Sequence, residues 1–393
     1  MKKILFSIIF TLAALVGLTA AFATAVSADA GPNWNWGFGT GAVFAATNGA
    51  AGNAVVMYHR NFDGSLSLVN SYPTGGVGSY FTAPDPLGSQ NSLLLTPDGK
   101  WLLAVNAGKN EPDGSGSISV FQVQSNGLKL VDQVSSGGIM PVSLTIFGNE
   151  VFVLNDMTPN ITGFTLSNKG DLDPIWHSTR SLPTTGNFGQ VGFDNSGNWL
   201  VVTDKVDSNI LVYSMGWNQL PAENPVITPS SLNTPFSFIF DNHDNLLVVD
   251  VNATPPTFNG AVSSYRIDRD GALATIGTTF NGQAASCWIT SNEMGYIFTT
   301  NPGPGSPFIP SISSFIEKDS SGKVNLVNAT ASTGIPVIDE GTTSNGQFLY
   351  AVGPGAGIYG WMIGHDGSLT VLNGGVAFPG LSGSGYIQGI AVQ

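Results

Sequence analysis

LLLTPDGKWLLAVNAG, Leu93–Gly108, followed by SISVFQV, Ser117–Val123, is the stretch whose reading decides the fold. An apolar run breaks at Pro97-Asp98-Gly99, resumes, and ends on a polar residue, Asn106. A loop leads to the third run, and Ser125-Asn126-Gly127 turns the chain into a fourth, Leu128–Val134. The runs are too short for helices and rich in Val, Leu and Ile. Asp-Gly and Asn-Gly supply the positive φ angles that tight hairpins need. The segment therefore predicts four antiparallel strands: A (Ser92–Thr96), B (Trp101–Asn106), C (Ser117–Val123) and D (Leu128–Val134).

The unit repeats on both sides. Strands of the B type recur at Ala42–Asn48, Val151–Asn155, Trp199–Asp204, Leu246–Asp250, Tyr296–Asn301 and Phe348–Gly353. Their period of about 50 residues is that of a four-stranded propeller blade. The C–D turn recurs as Phe62-Asp63-Gly64, Asn168-Lys169-Gly170, Arg269-Asp270-Gly271 and His365-Asp366-Gly367. The predicted class is all-β, a seven-bladed β-propeller with four antiparallel strands per blade. Blade one starts on a B strand at Gly41, and Gly385–Gln393 reads as an orphan A strand. Pairing the two closes the ring; an open array or an eight-bladed ring is the alternative.

Composition agrees. Charged residues are 10% and hydrophobic residues 42%, with 50 Gly, which suits strands and tight turns better than solvated helices. Lys2 and Lys3 precede the apolar run Ile4–Phe22 and small-residue cleavage patterns such as Val26-Ser27-Ala28. The expected organisation is a signal peptide over 1–28, a linker over 29–40 and one propeller domain over 41–393, in a secreted or cell-surface monomer; an uncleaved membrane anchor is the alternative for the first segment. The formal charge of −13 disfavours nucleic acid and anionic lipid as partners. The lone Cys287 forms no internal disulfide. His59, His177, His243 and His365 show no metal-ligand spacing, so no metal and no cofactor are expected.

In a four-stranded blade the A–B and C–D turns share one face, here the turn face. B–C loops and D–A connections share the other, the loop face. The long insertions 77–87, 109–116, 252–260 and 302–310 all fall on the loop face, where function in repeat folds collects. Two polar rings are expected there. B-strand ends supply Asn48, Asn106, Asn155, Asp204, Asp250 and Asn301; A-strand starts supply Gln90, Gln190, Ser286 with Cys287 and Trp288, Asp339 with Glu340, and Gln388. The bland reading of strand-end Asn and Asp is local backbone capping. The chemical reading makes Asp204 or Asp339 a general base, with Lys205, Arg180 or Lys109 holding an anion or oxyanion. Cys287 is expected to be a buried, inert thiol.

Gly88-Ser89-Gln90, Leu93–Gly108, Ser117–Val123, Ser136–Val142, Ala284–Trp288 and Asp366-Gly367-Ser368-Leu369 resemble the lactonase-type seven-bladed propellers. That group includes the cycloisomerase-type 6-phosphogluconolactonases and the carboxymuconate-lactonising enzymes. The resemblance implies the propeller fold and a lactone as substrate. Its enzymes carry a Pro-Arg-His-x-x-Phe-His-Pro type of A strand. Here blade three reads Met140-Pro141-Val142-Ser143-Leu144-Thr145-Ile146-Phe147, without His or Arg. The family's B-strand acid corresponds to Asp204. Two functions stay open. One is hydrolysis or formation of an uncharged or weakly acidic external lactone. The other is non-catalytic binding of an extracellular glycan or protein, anchored by loop aromatics such as Tyr80, Phe81, Phe258 and Phe308.

Overall fold

In five of the seven sheets the second strand is buried from end to end, in the other two all but its first residue is, and the outermost strand is mostly half-buried or exposed. Strand Trp101–Asn106 is buried throughout, whereas Gly127–Ser135 alternates. The computed structural model describes residues 40–79, 85–108, 116–184, 186–252, 259–292, 294–303, 309–354, 357–381 and 387–393. The expected signal peptide and nearly all of the linker lie outside these residues, as do Lys109, Tyr80, Phe81, Phe258 and Phe308. Among the described residues no helix is long and apolar enough to cross a membrane.

The seven sheets are blades of four antiparallel strands, ordered A to D from the channel outward. Blade three adds a short strand, Arg180–Ser181, beside Asn160–Ile161 of its C strand. The quoted segment folds as expected: Leu93–Leu95, Trp101–Asn106, Ser117–Gln124 and Gly127–Ser135. Ring closure also follows the expectation. Ile387–Val392 is the inner strand of blade one, with Val43 opposite Val392 and Phe44 opposite Ala391. The Gln393 amide donates to Ala42 O at 2.9 Å.

Neighbouring blades are seated by their C–D turns. Gly170, at φ 92°, lies so close to the Trp101 ring of blade two that a Cβ would come within 2.4 Å of it. Gly64 of blade one does the same against Phe348 of blade seven, and its carbonyl accepts a 2.6 Å bond from the Tyr350 hydroxyl. The turns thus need Gly twice, for positive φ and for lack of room. The seam between the last blade and the first is built like the others, as a closed ring requires.

Candidate functional site

Side chains in a radial sheet point toward the adjacent blades; only the inner edge of each A strand faces the channel. This geometry sorts the two polar rings. Asn106 Oδ1 accepts bonds from Thr74 Oγ1 (2.6 Å) and Asn53 Nδ2 (3.2 Å) of blade one, while its Nδ2 donates to Ser117 and Ser119. Asn301 accepts from Ser286 (2.5 Å) and Asn281 (3.1 Å) and donates to Ser311 and Ser313. Asp250 accepts from Ser230 and Ser263, each at 2.6 Å, and Asn155 donates to Ser136 O and Asn160 Oδ1. These four residues lock D–A connections to C strands inside the seams. Their side chains are thus engaged within the protein, where the sequence reading expected them at the mouth. Replacing Asn301 by Ala is expected to cost about 2–4 kcal/mol, since several buried partners lose their bonds together. Urea unfolding measures it, and a loss under about 1 kcal/mol would contradict the seam role.

Asp204 is also a local cap. Its Oδ1 accepts the amides of Val206 and Asp207 at 3.1 and 3.2 Å, and the residue has no solvent exposure. Arg180 lies in blade three. It sits on the outer rim, where its guanidinium donates to the carbonyls of Pro221, Ala222, His177 and Thr179. It borders a surface hollow of about 600 Å³ with Trp176, His177 and Glu223, far from the channel strands. Its donors are committed to backbone carbonyls.

The A-strand starts do converge. Gln90 crosses the channel from blade two and pairs with both backbone groups of Ile289 in blade six, donating to O at 2.8 Å and accepting from N at 3.1 Å. Trp288 Nε1 returns a 2.9 Å bond to Ser89 O. Gln190 treats the edge of blade five likewise through Phe238. These amides satisfy inner-edge groups that no fifth strand covers. A cavity of about 270 Å³, lined by Gln90, Ile289, Glu340 and Thr342 among others, continues along the channel.

Around this bridge stand Asp85, Lys205, Cys287, Asp339 and Gln388. Lys205 Nζ donates to Gly88 O and lies 4.6 Å from the centroid of the Phe236 ring. Burial pulls its pKa below the usual lysine range, while Asp156, Asp85, Cys287 and Asp204 partly hold it up. Asp85 Oδ1 accepts the Gly88 amide at 2.9 Å, and Gln388 Oε1 accepts the Leu87 amide at 3.3 Å. Burial raises the Asp85 carboxyl to about 6, with Lys205, the Gly88 amide and Gln388 opposing. Asp339, at φ 35° in a strand irregularity, is held well above the usual range by burial, with Asp85 adding to it. Glu340 is raised in the same way, by burial and then by Asp339. Burial also pushes the Cys287 thiol up; its Sγ faces Ala285 O at 3.1 Å, consistent with the inert role expected.

Gly88 makes this cluster a site. A Cβ built on it would lie 3.0 Å from Lys205 Nζ and 3.9 Å from Asp85 Oδ2. Having no side chain, Gly88 leaves room for an incoming atom between an amine and a carboxyl. Asp85 was not among the expected site residues. Its only sequence signal is an acid inside the insertion 77–87, beside the Gly88-Ser89-Gln90 match.

The raised carboxyls fix the sign of the pH response. Asp85 and Asp250 at about 6, Glu317 at about 8, and Asp339 and Glu340, both raised well above the usual carboxylate range by burial, bind protons that the unfolded chain releases near 4. Their contribution is full below the unfolded values and is lost as pH rises through the folded ones. The melting temperature is therefore expected to fall between about pH 5 and about pH 8. A flat or rising melting temperature over that range, by calorimetry, would contradict it.

Residues 51–181 match the family model described as Lactonase, 7-bladed beta-propeller. No curated protein matches the chain. Among solved structures, the periplasmic gluconolactonase of Pseudomonas aeruginosa is similar at a TM-score of 0.67 and 17% identity, over 85% of this chain and 95% of that one. A candidate 6-phosphogluconolactonase from Bacteroides fragilis is similar at 0.64 and 16%, over 86% and 94%. One from Bacteroides uniformis is similar at 0.64 and 18%, over 85% and 96%. At these identities the structural likeness establishes the fold alone, and the family match covers residues 51–181.

Proposed function

We propose that this lactonase-like propeller hydrolyses an uncharged or weakly acidic lactone at the channel mouth, as an exported protein. The observation that carries the reading is the space over Gly88, bounded by Lys205 Nζ at 3.0 Å and Asp85 Oδ2 at 3.9 Å. Asp85 borders it, and Asp339, a second acid held up by burial, is close enough to feel the Asp85 charge. Asp85, ionised above about 6, takes a proton from water as the water oxygen bonds to the lactone carbonyl carbon. Lys205 in its ammonium form stabilises the oxyanion. The ring C–O bond then breaks, and Asp339, protonated in its buried setting, supplies the proton to the departing ring oxygen. Gln90, Trp288 and Gln388 position this wall rather than react. Among the described residues the mouth offers one amine beside several acids, which argues against a phosphorylated substrate.

The test is turnover of a panel of γ- and δ-lactones, followed by acid release, in the parent and in Asp85→Asn and Gly88→Ala. The added methyl group should obstruct the space and reduce kcat/KM at least ~10²-fold, as should loss of the base. Parent-like rates in both variants would remove the site.

A further inference from the structure

We propose that Asp241, His243 and Glu317 form a transition-metal site on the turn face, joining blade five to blade six. One ligand atom from each lies within 4.8 Å of the other two. Asp241 follows the A strand of blade five, Pro235–Phe240, and Glu317 ends the C strand of blade six, Ser311–Glu317. Neither contact is visible as a motif, because the ligands come from two repeats.

Asp241 is held rigidly. Its Oδ1 accepts the amides of His243 (2.7 Å) and Asn245 (2.8 Å), and its Oδ2 accepts from Asn245 Nδ2 (2.7 Å). The geometry of a carboxylate leaves further acceptor sites on these oxygens. Glu317 supplies the second, independent observation: its Oε1 is shut off from solvent and has no hydrogen-bond partner. Its carboxyl lies against that of Asp241. Two adjoining carboxyls with an unpartnered oxygen need a proton or a cation between them. His243 is exposed and places an imidazole nitrogen at the open side. The surroundings are acidic: Asp194 and Asp241 act on Asp244, and Asp319 lies close enough to feel His243 and Lys323.

One nitrogen and two carboxylate oxygens suit Zn²⁺ or Mn²⁺. Ca²⁺ would require six to eight oxygens. A bound ion staples the blade-five hairpin to blade six. It stabilises the fold in proportion to its occupancy.

The experiment uses untagged protein stripped with a chelator and titrated with Zn²⁺ and with Mn²⁺ at neutral pH. Calorimetry reads stoichiometry and affinity; thermal melting reads stabilisation. One ion per chain and a higher melting temperature are expected for at least one of the two. His243→Ala and Glu317→Gln should each weaken binding at least ~10-fold with unchanged far-UV circular dichroism. Glu317→Gln should also melt higher than the parent without metal, because it ends the carboxyl contact. The proposal is overturned by no saturable binding at millimolar metal, or by binding that survives both substitutions.

Discussion

Removing residues 387–393 is expected to abolish cooperative folding. The deletion takes away the inner strand of blade one and exposes the edge of Gly41–Thr47. It also removes Ile387 and Ile390, both buried, each worth about 2–5 kcal/mol on truncation to Ala. Asp339 loses the Ile390 amide that helps hold its carboxyl. The total is comparable with the whole stability of an ordinary domain, about 5–15 kcal/mol. Urea unfolding followed by tryptophan fluorescence should show no transition, or one at far lower urea, with association through the open edge. An unchanged midpoint would mean that blade one does not depend on its closing strand.

The second large effect concerns Lys205. Lys205→Met keeps an unbranched side chain against Phe236 but removes the donor to Gly88 O and the only amine beside Asp85 among the residues acting on it. Loss of one oxyanion donor costs on the order of 10²–10³ in kcat. Stability should change little or rise, because a buried ammonium carries a desolvation cost that Met does not. Activity and stability are thus expected to move independently. A melting temperature that falls in step with activity would instead mark Lys205 as a structural residue.

The architecture was legible almost to the residue where strand and turn chemistry coincide. Trp101–Asn106, Trp199–Asp204 and Tyr296–Asn301 begin and end where the apolar runs do. The site was only partly legible. Lys205, Asp339, Cys287 and Gln388 do meet at one mouth, but Asn106, Asn155, Asp250 and Asn301 turn into the seams. A repeat places strand ends on a common face; it does not say which way their side chains point. Asp85 escaped notice because its role depends on a residue two blades away, across the ring. Arg180 lies away from the cluster around Gly88, because the strand that carries it pairs with the start of the blade-three C strand. The acids around Asp241 are similarly divided between repeats, so spacing along the chain is silent about them.

The central claim, that Asp85 over Gly88 is the base of a lactone-opening site, is tested most directly by the pH dependence of kcat/KM. On the best lactone of the panel, the rate is expected to rise through an inflection near 6, the value to which burial brings Asp85. That inflection should vanish in Asp85→Asn. The same inflection in the variant, or no turnover of any lactone by the parent, would contradict the claim.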